Sequence, residues 1–406
     1  MFLLVSTVRL QFELQPDRLR QARARAGLTL QALSERLAGE GCVLTRAALS
    51  KYELGKSVPR QSTLLAIARA LAVPPSYLFQ PQTVRIRWLA FRKHARLSRA
   101  RQELVRAEVS DIVARQVILE ELLHPGAPRP FPRVERVAAP ADAEQAAETL
   151  RRTWQLGEAA IESVVRTIED HAGVVACPAG EVPDFDGMAG WANDRHAVLV
   201  SRRDASLDQR RYNFAHELGH LVMNWPGATE KQQEEFAHRF AAAFLVPAAV
   251  ARRELGGSRR ALGTQELGLL KEKYGLSMQA WIRRALDLKI VGRSTYERLC
   301  VDFSRRGWRK EEPVPFEGNE EPMRLKLLAT RALAEGVLTP ARAEELCPGS
   351  TEALPEAGRR RASELRRVPA QEQSRLLSLA AETAAAEYGE GSPLRDFEAY
   401  GDDDLT

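Results

Sequence analysis

Residues 213–224 read NFAHELGHLVMN. Two histidines four positions apart, with a glutamate after the first, leave few options for the fold around them. On a helix, positions four apart share one face, one turn from each other. His216 and His220 can then both reach one zinc ion at about 2.0–2.1 Å. Glu217 sits beside them, where a glutamate takes a proton from the water that such a metal activates. Phe214, Leu218, Leu221 and Val222 recur at helical spacing and form a separate, apolar face. Ser206 followed by Gln209 predicts a capping box and a helix start near Leu207, while Pro226 and Gly227 mark its end. The competing reading is an amphipathic helix with ordinary polar residues on its wet side. The clean apolar back and the small Gly219 between the two histidines favour the metal site.

Two histidines need a third ligand. The stretch TEKQQEEFAHRFAAAFLVP, residues 229–247, opens on a second capping box, Thr229 with Gln232, and spaces Phe236, Phe240 and Phe244 along a core face. Glu234 and Glu235 both lie in its first turns. RRYNFAHELGHLVMN and EEFAHRFAAAFLVP together resemble the ImmA/IrrE family of zinc metallopeptidases. The resemblance implies a site of two histidines and a glutamate. Its ligands would be His216, His220 and Glu234, with Glu235 as the fallback, Glu217 as the catalytic base and Zn2+ as the cofactor. His238 departs from the family, which often has Asn or Asp there. It can orient a ligand, compete for the metal, or simply face solvent. Tyr212 and His238 are the nearest polar candidates to stabilise a tetrahedral intermediate.

Leu19, Ala22 and Ala26 space a first N-terminal helix, which stops at Gly27. Thr29 and Thr45 are placed to cap two more, and TLLAIARAL makes a fourth before Pro74 and Pro75. GLTLQALSERLA and LTRAALSKYELGKSVP resemble the Cro/C1-type (XRE) helix-turn-helix domain. By that resemblance Thr45, Arg46, Ala47 and Lys51 face DNA in the major groove. The segment GEGC makes the turn before that helix longer than usual. Residues 85–106 carry eight Lys or Arg against one acid, which predicts a basic helical arm able to touch phosphates.

The organisation expected is mainly α. An all-α helix-turn-helix domain over 17–80 is followed by a basic helical arm and Pro-rich linker over 81–140. An α+β HExxH peptidase domain with a small sheet spans 141–260, a helical region 261–390 and an acidic tail 391–406. VVACP, GMAGWA and HAVLVS read as strands, the last two as a hairpin around ANDRH. By resemblance to HExxH peptidases, HAVLVS is expected to form a sheet edge beside the cleft, able to accept an extended peptide. KEKYGLSMQAWIRRALDL reads as helix, Gly turn, Ser cap and helix, either a support for the peptidase core or a second DNA-binding unit with Arg283 and Arg284 outward.

A net charge of +5 and a pI near 9.1 suit an anionic partner. The chain has 406 residues and four widely spaced cysteines without CxxC, which argues against a disulfide scaffold or cysteine zinc knot and suits a reducing cytoplasm. MFLLVSTVRLQFELQPD lacks a basic leader, and no long apolar run follows, so neither secretion nor a membrane partner is expected. By resemblance the function is a site-specific endopeptidase that cleaves an XRE-type repressor and relieves repression. The alternative is a DNA-binding regulator or antitoxin-like protein whose peptidase fold senses or docks without turnover. An intact HExxH favours the enzyme.

Overall fold

The computed structural model describes residues 14–79, 84–93, 98–126, 131–132, 136–173, 175–179 and 185–352. The acidic tail, and most of the Pro-rich linker's middle, lie outside them.

Four helices, α1 (Pro16–Arg25), α2 (Leu30–Gly39), α3 (Arg46–Glu53) and α4 (Gln61–Ala70), enclose a small core of Leu19, Leu33, Leu37, Leu49 and Ile67. Thr29 and Thr45 cap α2 and α3 as their side chains imply, accepting from the amides of Ala32 and Ala48. Gly27 and Gly55 take positive φ at the ends of α1 and α3, conformations that cost glycine nothing.

The chain then departs from the expected helical arm. Residues Ile86–Lys93 form strand β1, and helix α5 begins only at Arg99, running to Leu123. In IRWL the half-buried Ile86 and Trp88 alternate with exposed Arg87 and Leu89, the two-residue period of a strand. The basic composition masked that alternation.

After α6 (Pro140–Thr153) and α7 (Val164–Ala172) come β2 (Val175–Ala179), β3 (Phe185–Ala192) and β4 (His196–Arg202). The sheet order is β1-β3-β4-β2, with β2 parallel to β4 and the other pairs antiparallel. Asn193 and Asp194 turn the β3–β4 hairpin at positive φ, which their short polar side chains tolerate. β4 is therefore an inner strand, paired on both sides, and the expectation of a free edge at HAVLVS is wrong. Its weak alternation has a structural cause. Val198 and Val200 pack under α5, while Ala197 and Leu199 pack under the helix that carries the histidines. A strand covered on both faces reads as a continuous apolar run.

That helix is α8 (Leu207–Val222), and α9 (Glu230–Leu245) lies beside it. The Thr229–Gln232 capping box forms; the Ser206–Gln209 box does not, although α8 starts where expected. Asp208 turns inward in that first turn and meets Lys271 at 3.3 Å, while Gln209 faces solvent.

Behind them stand α10 (Ala248–Leu255), α11 (Thr264–Tyr274), α12 (Met278–Asp287) and α13 (Arg293–Arg305), while α14 (Arg324–Ala334) and α15 (Pro340–Leu346) pack with α5. Ser277 caps α12 and Gly275 ends α11 in the left-handed region, as the sequence implies. Arg284 does not point outward. It is fully buried and holds the Glu144 carboxylate. No helix among the described residues is long and apolar enough to cross a membrane.

The segment before α14 staples the fold with carboxylates. Glu320, fully buried, accepts from the amides of Val164 and Val165 at 3.0 and 2.8 Å and pairs with buried Arg211 at 2.7 Å. Glu312 does the same for the amides of Met278 and Gln279 at α12. In return, Glu169 accepts from the amides of Met323 and Arg324.

Removing Glu320 leaves Arg211 as an unpaired buried charge. Glu320→Ala is expected to cost about 3–5 kcal/mol in chemical denaturation. Burial pushes the Glu169 carboxyl up to about 7 against those amide hydrogen bonds. An acid raised by folding stabilises the protein while protonated and loses that contribution as pH rises. Stability should therefore decline between about pH 5 and 7, and Glu169→Gln should flatten that slope in pH-dependent melts.

Candidate metal centre

The apolar face of α8 (Phe214, Leu218, Leu221) anchors it against the core. Its polar face is enclosed as well. His216 and Glu217 are wholly buried and His220 is nearly so, so the wet-side reading does not describe this helix. The histidines face α9, whose second turn brings Glu234 to them. His216 Nε2 lies 3.4 Å from Glu234 Oε2, His220 Nε2 lies 3.4 Å from Glu234 Oε1, and the two Nε2 atoms are 3.1 Å apart. Glu235, one residue on, is exposed. One ligand atom from each of His216, His220 and Glu234 lies within 4.8 Å of the others, a group able to hold a metal ion.

The spacing can be tested against coordination chemistry. Donors about 2.1 Å from a tetrahedral centre lie about 3.4 Å apart. The three separations here fit, and three protein donors leave a fourth position open. Burial pushes the Glu234 carboxyl up, but hydrogen bonds and charge from His216 and His220 more than reverse this and hold it well below the usual carboxylate range. It stays an anion, the form in which a carboxylate binds metal.

Two glycines permit this crowding. A Cβ on Gly219 would lie 3.0 Å from Phe240, so α8 and α9 could not approach as they do. A Cβ on Gly187 in β3 would lie 2.6 Å from Glu217 Oε1 and 2.9 Å from the Val200 carbonyl. Gly187 therefore makes the space in which the Glu217 carboxylate sits. Its signal, a glycine inside a strand, stands in GMAGWA.

Around the donors, the His238 ring lies tilted against His216 with ring centroids 4.5 Å apart, and its Nδ1 is 3.2 Å from the Tyr212 hydroxyl. The indole of Trp225 meets His220 edge-on. A cleft of about 430 Å³ opens beside Glu234, lined among others by Tyr212, Lys231, Glu235, His238, Arg239 and Asp287. Arg239 is held by Glu144 and Asp287, which locks α9 to α6 and α12. The sequence pattern gave no sign of that network, because it joins residues far apart in the chain.

The geometry agrees with two family matches. Residues 180–286 match the IrrE N-terminal-like domain, peptidase M78. Residues 19–78 match the helix-turn-helix family. The chain thus joins a DNA-binding type of module to a peptidase type of module. No curated protein matches it. Both histidines, Glu217 and Glu234 fall inside the peptidase segment; β1, α5 and α6 lie before it.

The proposed DNA-facing residues are elsewhere. Thr45, Arg46, Ala47 and Lys51 all lie exposed on or just before α3. The Glu40–Leu44 turn before it holds Gly41 at positive φ, which accommodates the extra length.

The ligand set is checked by metal analysis of purified variants. His216→Ala and Glu234→Gln should each lose the bound ion, while Glu235→Gln should keep it. Retention by Glu234→Gln with loss by Glu235→Gln would move the third ligand by one position.

Proposed function

We propose that this chain is a site-specific zinc endopeptidase coupled to transcription, and that it cleaves an XRE-type repressor to relieve repression. The observation that carries the peptidase reading is the triangle of His216, His220 and Glu234 with the buried Glu217 carboxylate beside it.

Bound there, zinc supplies Lewis-acid chemistry: it polarises a carbonyl and lowers the pKa of water toward 7. The remaining work belongs to the side chains. Glu217 is the general base, taking the proton of the attacking water at its carboxylate and later giving it to the departing amine. The Cβ-free backbone of Gly187 leaves the space that this wholly buried carboxylate occupies, so it starts in place. His238 buttresses the His216 ring, and Tyr212, bonded to His238, fixes the buttress. Both line the cleft with Glu234, where a peptide would lie.

The helix-turn-helix module supports DNA as the second partner. With Thr45, Arg46, Ala47 and Lys51 exposed, α3 has the side chains for major-groove contact. The same module supports a second reading, a regulator whose peptidase fold senses or docks without turnover.

One variant separates the two. Glu217→Gln keeps all three metal donors and loses the base. Metal content should stay stoichiometric while cleavage of a repressor substrate falls by roughly 10²–10⁴. Full activity in that variant rules out the mechanism. No activity in the wild-type metal-loaded protein against any XRE-type repressor favours the non-catalytic regulator. Separately, Arg46→Ala and Lys51→Ala should each weaken operator binding by about 1–3 kcal/mol in equilibrium titrations.

A further inference from the structure

The basic stretch over residues 85–106 is split by the fold into two parts with different surroundings. Its first part enters the sheet as β1, where Arg87 is taken up by Asp194 at 2.8 Å. Its last part begins α5, which runs against the N-terminal helices. Arg25 of α1 pairs with Asp111 of α5 at 2.8 Å, and Leu104 lies next to Gly27, 3.8 Å from where a Cβ there would sit. This places the first turn of α5 beside the N-terminal ends of α2 and α3. Thr29 and Gln31 of the first, Arg46 of the second and Arg101 of α5 line one groove of about 480 Å³.

The charges in that groove are unevenly engaged. Arg23 is bonded to Glu53 and to the Leu28 carbonyl, and Glu103 pairs with Arg20. Arg46 and Arg101 are both exposed. A surface that presents two guanidinium groups across such a groove, next to the helix expected in the major groove, suits a run of phosphates.

We propose that the first turn of α5 belongs to the DNA-binding surface, with Arg101 holding a backbone phosphate beside those engaged at the α2 and α3 ends. Arg101 lies outside the helix-turn-helix match over 19–78, so the footprint extends past that module. The consequence is mechanical. The middle of α5 covers the sheet through Val109, Val113 and Val117, and its last turn meets α14 through Glu120 and Arg324. DNA that grips both α3 and α5 fixes the peptidase module's orientation on the duplex instead of leaving it tethered. The proposal rests on the DNA-binding reading of the N-terminal module.

The test uses the full-length, metal-loaded protein and a fluorescently labelled mixed-sequence duplex, titrated over a range of salt. Arg101→Ala and Arg46→Ala should each reduce the slope of log K against log salt by about 1: Arg101 through its phosphate, and Arg46 because on a duplex without the operator its guanidinium neutralises a phosphate instead of reading a base. Arg101→Lys should restore most of the slope. Arg87→Ala on β1 and Arg293→Ala on α13 should leave it unchanged. A wild-type slope in Arg101→Ala, with Arg46→Ala reduced, overturns the extended footprint and spares the DNA-binding reading. An equal loss in Arg293→Ala shows a bulk-charge effect and also overturns it. Absence of any duplex binding by the wild type at low salt removes both.

Discussion

The close approach of α8 to its two neighbours governs this structure. Three polar side chains on one helix turn are enclosed, a costly arrangement unless each meets a partner of matching chemistry. Glu234 from α9 supplies the anion for both imidazoles, and Gly187 from β3 clears room for Glu217. Gly219 lets α9 come near enough. Neither helix can shift by a few tenths of an ångström without separating donors now 3.1–3.4 Å apart. The rest of the molecule holds that distance. Glu144 clamps α9 and α12 through Arg239 and Arg284, and Glu320 clamps α8 to α7 through Arg211. Buried ion pairs of this kind add little net stability, but losing one partner is expensive. They favour one arrangement over others.

The site was legible in the sequence wherever the chemistry is local. HExxH on a helix, a capped second helix and its early glutamates follow from spacing within about one turn. So do the caps at Thr29, Thr45, Thr229 and Ser277, all of which form. The choice of Glu234 over Glu235 came from family resemblance, and the backbone direction of α9 supplies its physical reason: Glu234 turns toward the histidines while Glu235 turns to solvent.

What stayed hidden is non-local. The strand nature of residues 86–93 depends on β3 being there to pair with them, and an excess of arginine disguised the alternation. The edge placement of HAVLVS rests on resemblance alone, because its sequence cannot say how many strands flank it. Its unbroken burial, under α5 on one face and α8 on the other, is a property of the layers. Arg284 reads as a surface residue in WIRRALD until Glu144, 140 positions earlier, is brought to it. The Ser206–Gln209 box was locally sound but lost to the inward turn of Asp208 toward Lys271, where tertiary electrostatics outweighs a cap.

The claim on which the functional account turns is that α8 and α9 hold one zinc with a mixed nitrogen and oxygen shell and an open position. X-ray absorption at the zinc edge of the purified full-length protein measures this directly. The account predicts one zinc per chain in a four-coordinate shell of light atoms at about 2.0–2.1 Å, with the outer-shell scattering of two imidazoles. A sulfur shell near about 2.3 Å, a single imidazole, or no bound zinc would contradict it.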